Sequence, residues 1–198
     1  MKIFKHLRVV MKHKFLVFCN ACKMGIPWTG LIHDTSKFTP TEFLLSAKYY
    51  KGDDSPTIKE REFHDGFSHI CVHHTGRNKH HWQYWIDYNG KNMVINRIPY
   101  KHSVEYVCDI IAASKVYHPK NFKYEVVYEY FTKHMQYYVM HPATKEFIVW
   151  CVNEVIEKGF KGVKKKITKA KYQEIADKYP NTMFVNIENI FNELQIQR

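Results

Sequence analysis

Apolar side chains recur along most of the chain at three- and four-residue intervals, the spacing that gives a helix one buried face. Between residues 3 and 24 they fall at Phe4, Leu7, Val10, Met11, Phe15, Leu16, Phe18, Cys19 and Cys22, set among basic residues. Gly25-Ile26-Pro27 ends that helix in the order of a C-terminal signal. A short apolar approach, Trp28-Thr29-Gly30-Leu31-Ile32, leads to the polar cluster His33-Asp34-Thr35-Ser36-Lys37. Thr39-Pro40-Thr41-Glu42 then reads as a capping box with proline at the first helical position, opening a helix through Phe43, Leu44, Ala47 and Tyr50.

After a polar loop at Gly52-Asp53-Asp54-Ser55-Pro56, residues 57–76 read as helix. The histidine-rich segment 69–81 spans the end of that helix and a turn near Gly76. Residues 87–100 read as loop, with at most a short extended piece at Met93-Val94-Ile95. Further helices are predicted over 101–117, 123–139, 143–158 and 168–178, separated by Pro119, Pro142 and Gly159-Phe160-Lys161-Gly162. No hairpin turn stands between alternating runs, and there is neither a βαβ rhythm nor an internal repeat. The pattern predicts an all-α fold.

A chain of 198 residues fits a single domain. No apolar run approaches the roughly 20 residues that span a bilayer, and no secretion signal follows the charged N-terminus, so neither a membrane nor export is expected. Five cysteines without such a signal read as reduced thiols, and Cys19-Asn20-Ala21-Cys22 lacks the second pair that a zinc site would need. No glycine-rich phosphate loop is present. The net charge of +11 favours anionic ligands. Lysine outnumbers arginine 25 to 5, however, a bias that an A·T-rich genome also produces.

Histidine is the outlier: six of the thirteen lie between His64 and His81. Adjacent residues on a regular helix point about 100° apart, so His33 and Asp34 can serve one metal only near a helix end or kink. Imidazole with carboxylate suits a divalent ion such as Zn, Mn, Fe or Co. His13 and Asp109 offer further ligands. Asp109 stands in the apolar stretch Val104 to Ala113, where burying a carboxylate is costly unless a cation accepts it. His73-His74 and His80-His81 form two doublets seven residues apart, and one member of each, His74 and His80, is expected to ligate a second ion. His73 and His81 would then orient ligands or contact phosphate. Lys37, Arg77 and Lys79 are placed as phosphate clamps. His64 and His69 fit packing as well as they fit the cluster.

This order of residues, with Leu31-Ile32-His33-Asp34-Thr35-Ser36-Lys37 at its centre, resembles the HD-domain superfamily and its leucine-rich approach to H-D-x-x-K. The run from His73 to Trp85 is similar to a family of small HD-like proteins of bacteria and phages. The likeness covers residues 1–140; residues 141–198 read as a helical extension packed on the same core. The resemblance implies a helical bundle holding one or two divalent ions (Mn, Fe, Co, Zn or Mg) on His13, His33, Asp34, His74, His80 and Asp109. It implies a metal-dependent phosphohydrolase acting on a nucleotide or small phosphate ester, with Asp34, Lys37 and Arg77 as catalytic residues, in the cytoplasm of a bacterial or phage-infected cell. A minority of the superfamily are mixed-valence di-iron oxygenases with much the same ligands. The glycine-rich signature of the cyclic-dinucleotide branch is missing.

Two other features have competing readings. Trp82, Tyr84 and Trp85 could stack on a base, but such a stripe more often closes a core. Lys164-Lys165-Lys166 could grip nucleic acid, which makes a basic nucleic-acid-binding protein the non-enzymatic alternative; a solvated helix face is the favoured reading.

Overall fold

The N-terminal amphipathic pattern folds as α1 (Lys2–Lys23), whose inward seam runs His6, Val10, His13, Val17, Asn20 and Ala21. The computed structural model describes residues 2–52 and 54–188. Among the described residues eight more helices follow: α2 (Pro27–Ile32), α3 (Pro40–Tyr49), α4 (Pro56–Phe63), α5 (His69–Thr75), α6 (Tyr100–Tyr117), α7 (Tyr124–His134), α8 (Pro142–Lys158) and α9 (Lys165–Ala176). One core joins α1, α6, α7 and α8 through Val17, Val107, Ile111, Phe131, Phe147 and Val152. Since α8 supplies Phe147, Ile148, Cys151 and Val152 to it, the expected extension shares the core of the rest. Residues 189–198 of that extension lie outside the described residues. Among the described residues no helix is long and apolar enough to cross a membrane.

The fold is mostly helical and not all-α. Strands β1 (Ile86–Asn89), β2 (Asn92–Asn96) and β3 (Thr182–Asn186) form an antiparallel sheet in that order. Asn89 pairs with Asn92, leaving Gly90-Lys91 as a two-residue hairpin loop. Gly90 sits at φ 60°, the glycine-first pattern of a tight hairpin turn. The third strand pairs Met183 with Ile95, and backbone bonds Arg97 N to Asn181 O and Ile187 N to Lys91 O anchor its two ends. So the segment expected as loop is a hairpin, and the C-terminal part contributes a strand as well as helices.

Two local expectations also change. The helix expected over 57–76 is two helices, parted by a turn in which Asp65 and Gly66 both take positive φ. Glu60 of α4 closes this break, its Oε2 accepting from Ser68 Oγ at 2.6 Å and from Ile70 N at 3.0 Å. The capping box does not form either: the Thr39 hydroxyl donates back to Ser36 O, and Glu42 turns inward, 1% exposed. Two histidines claim its carboxylate, as described below. Of the aromatic stripe, Trp82 stacks on Tyr138 and packs against the core as favoured, whereas Tyr84 is exposed and Trp85 lies outside the core cluster. The Lys164–Lys166 run starts α9 as an exposed face.

Candidate metal centre

The site forms where α1, the α2 terminus, the α5 terminus and α6 meet. Gly30 lets α2 lie close on α1: a β-carbon there would stand 2.5 Å from Ala21 Cβ and 3.1 Å from Phe18 Cα. Helix α2 ends at Ile32, and Asp34 takes a left-handed conformation at φ 52° before a 3-10 turn over Thr35–Phe38. That break turns two sequence neighbours toward one point, as the His33-Asp34 pair requires. Helix α1 delivers His13 from its seam, and α6 delivers Asp109 with Glu105 one turn before it on the same face.

Two ligand groups share Asp34. In the first, His13, His33, Asp34 and Asp109 bring one atom each to within 4.8 Å of one another. His13 Nε2 lies 3.0 Å from Asp109 Oδ1, and His33 Nε2 lies 3.2 Å from Asp34 Oδ2. In the second, Asp34, His74, His80 and His81 meet the same criterion. There His74 Nε2 and His80 Nε2 lie 3.4 and 3.6 Å from Asp34 Oδ1. One oxygen of Asp34 thus faces each group. Asp109 is divided in the same way, Oδ1 toward His13 and Oδ2 3.7 Å from His80 Nε2.

Buried polar atoms are ordinarily paired. Here His80 Nε2, His81 Nε2 and Asp34 Oδ1 are buried without a hydrogen-bond partner, while His13 Nε2, His33 Nε2 and Asp34 Oδ2 are buried and meet only one another, Asp109 and Lys37. Convergent imidazole nitrogens and carboxylate oxygens of this kind fit one or two divalent cations.

Two carboxylates behind His33, His80 and His74 orient these rings, a role that the sequence pattern did not reveal. Glu105 Oε1 accepts from His33 Nδ1 at 3.0 Å and lies 3.3 Å from His80 Nδ1, while Oε2 accepts from His102 Nδ1 at 3.0 Å. Glu42 takes His74 Nδ1 at 2.8 Å and His73 Nδ1 at 3.1 Å. With Nδ1 of His33, His80 and His74 directed back to a carboxylate, Nε2 faces the centre, where loss of its proton would free a lone pair for a cation. Asn78 ties the histidine turn to the Asp34 turn, its Nδ2 donating to Ser36 Oγ and to His74 O.

Electrostatics follow from this packing. Burial opposes charge on Asp34, but His33, Lys37 and His74 outweigh it and hold the carboxyl well below the usual carboxylate range. Burial likewise opposes charge on Glu105, and its hydrogen bonds from His102, His33 and His80 prevail, so it too lies far below the ordinary value. Burial, reinforced by His80 and His74, pushes His81 well down, whereas at His33 burial is outweighed by the attraction of Asp34 with hydrogen bonds to Asp109, Asp34 and Glu105, which raise the pKa well above the ordinary value. The Lys37 ammonium stands 2.6 Å from Asp34 Oδ2, and Asp34 with Asp109 raises its pKa against the effect of burial.

The structure therefore brings together His13, His33, Asp34, Lys37, His74, His80 and Asp109. His81 joins the second group instead of standing behind it, because residues 80 and 81 follow a turn and precede a 3-10 helix, where neighbours can face the same way. His73 is held by Glu42, in the orienting layer. Arg77 and Lys79 are not drawn in: α5 ends at Thr75, and the turn faces Asn78 and His80 inward with 77 and 79 exposed. The Lys79 ammonium lies over the Tyr84 ring instead. His64 binds the Tyr49 hydroxyl and His69 packs on Phe67, both outside the two groups. Cys19 and Cys22 are free thiols.

A family model matches residues 2–154, which carry both ligand groups and the orienting carboxylates. The chain belongs to DUF5662. This is a family of unknown function. No curated protein and no solved structure matches the chain.

Proposed function

We propose that this member of DUF5662 is a metal-dependent phosphohydrolase of the HD type, acting on a nucleotide or small phosphate ester at a two-ion centre. The observation that carries the reading is the division of Asp34 between two groups of converging, largely buried imidazoles, with Asp109 divided in parallel. His13, His33, Asp34 and Asp109 would hold one ion, and Asp34, His74, His80 and His81 the other, with Asp109 Oδ2 at its edge. When bound, such ions polarise a phosphoryl oxygen and lower the pKa of water toward about 7.

The protein's own groups do the rest. Glu105 and Glu42 fix the imidazoles as Nδ1–H tautomers, so the geometry is set before substrate arrives. Lys37, 29% exposed at its side chain and beside Asp34, reaches from the centre toward solvent. There it neutralises charge that builds on the phosphate oxygens as the ester bond breaks. Its ammonium stays charged through the pH range in which a hydrolase works, because Asp34 and Asp109 hold its proton.

The test is a panel of nucleotides and phosphate esters, run on protein loaded in turn with Mn, Co, Fe, Mg and Zn. Hydrolysis by the wild type, and a kcat lowered about 100-fold in Lys37→Met with metal content unchanged, is the expected result. A fully loaded protein inert across the panel overturns it. Oxygen-dependent turnover by the iron form would replace it with the oxygenase reading, which draws on the same ligands.

A further inference from the structure

The outer face of α1 has no partner among the described residues. Phe4, Met11 and Phe15 recur there at helical spacing and are 74%, 51% and 64% exposed. Helix α2, seated against Phe18 and Ala21, adds Trp28 at 78%, Ile32 at 66% and Leu31 at 49%. Scattered exposed apolar residues are ordinary, but a helical stripe of them, with three more on the helix packed beside it, marks an interaction surface. Beside the apolar stripe, Lys5, Arg8 and Lys12 form a parallel basic one at three- and four-residue spacing. No acidic residue occurs between residues 2 and 33, and none of these three cations has an ion-pair partner among the described residues.

We propose that this face docks the protein onto an anionic phospholipid bilayer, lying on its surface. Charge decides against a second copy: a two-fold contact through this face would bring two Lys5-Arg8-Lys12 stripes into one interface, with no acid among residues 2–33 to receive them. Exposure decides against a peptide helix in a groove. Side chains that line a recess are half covered by its walls, whereas Phe4, Phe15, Trp28 and Ile32 stand out from the surface. Protruding aromatic and aliphatic groups beside a cationic edge match the interfacial region, where the rings enter the acyl boundary and the lysines meet headgroup phosphates. Ile32 directly precedes the ligand His33, so docking would hold the histidine centre next to the membrane plane. This surface stands independently of the hydrolase reading.

The experiment is co-sedimentation of the full chain with phosphatidylcholine vesicles, neutral or containing about a third phosphatidylglycerol. Three cations at roughly a factor of five each predict about a hundredfold preference for the anionic vesicles. Trp28→Ser with Phe15→Ser should weaken binding at least about tenfold, and Arg8→Glu with Lys12→Glu should abolish the preference. All four positions are exposed, and unchanged far-UV dichroism confirms that the variants fold. Absence of binding by the wild type, equal binding to both vesicles, or variants that bind like the wild type would each overturn the proposal. So would a wild-type dimer that the Trp28/Phe15 substitutions convert to monomer, since the occupant would then be a second copy.

Discussion

Replacing Glu105 should weaken both ion sites at once, although Glu105 belongs to neither four-residue ligand group. Its Oε1 holds His33, a member of the first group, and approaches His80, a member of the second. Both histidines are 1% exposed, so in Glu105→Ala no solvent replaces the lost acceptor. Each buried N–H left unpaired costs about 1–3 kcal/mol. The rings can avoid that cost by rotating or by moving the proton to Nε2, and either response removes the lone pair aimed at the metal. Loss of an orienting partner typically lowers metal affinity by about 10–100-fold, or about 1.4–2.7 kcal/mol, and here the loss falls on one ligand of each site. Competition titration against a chromophoric chelator should therefore show two weakened sites in Glu105→Ala. In Glu42→Ala, which releases only His74 and His73, it should show one. Nitrogen-15 shifts of the imidazoles give an independent readout, reporting loss of the Nδ1–H tautomer at His33 and His80. Two sites of wild-type affinity in a folded Glu105→Ala protein would refute the reasoning.

Other expectations follow from single contacts. Gly30→Ala places a β-carbon 2.5 Å from Ala21 Cβ and near the Phe18 backbone; it should cost about 1–3 kcal/mol, lower Tm by several degrees and weaken the first site as α2 shifts, all read by thermal denaturation and metal titration. His141 caps α8 as a neutral ring, Nδ1 accepting from Ala143 N and Nε2 donating to Pro180 O, and burial holds its pKa below the ordinary 6.5. The folded state thus binds a proton there less readily than the unfolded chain, so its contribution is full above about pH 6.5 and falls away as the pH drops below that value. His141→Asn, which can cap without titrating, should flatten that part of the Tm–pH curve; an unchanged curve would remove His141 as a cause.

The residues that cluster at the candidate centre were legible because each breaks a local pattern. His13 interrupts an apolar seam, His33-Asp34 follows an apolar approach, and Asp109 sits in the apolar stretch Val104 to Ala113 of α6. Glu105 carries the same signal four residues before Asp109, and its i,i+4 relation places both carboxylates on one face. Glu42 was hidden by a local alternative: Thr39-x-x-Glu42 has the spacing of a capping box, and only the tertiary position of α5 brings His73 and His74 to it. Doublet geometry misled for His81, because the helix rule for adjacent residues does not hold in a turn. The hairpin went unread because its strands are four and five residues long with asparagine at their ends, too short for alternation to stand out. Its third strand lies some ninety residues away, a pairing that periodicity does not encode.

The central claim is that Asp34 joins two ion sites. Elemental analysis of the purified protein after metal loading and desalting, beside Asp34→Ala treated identically, tests it most directly. The account predicts about two equivalents of divalent metal per chain in the wild type and a large loss of both in a variant that remains folded. A wild-type protein that retains no metal, or an Asp34→Ala protein that retains both equivalents, would contradict it.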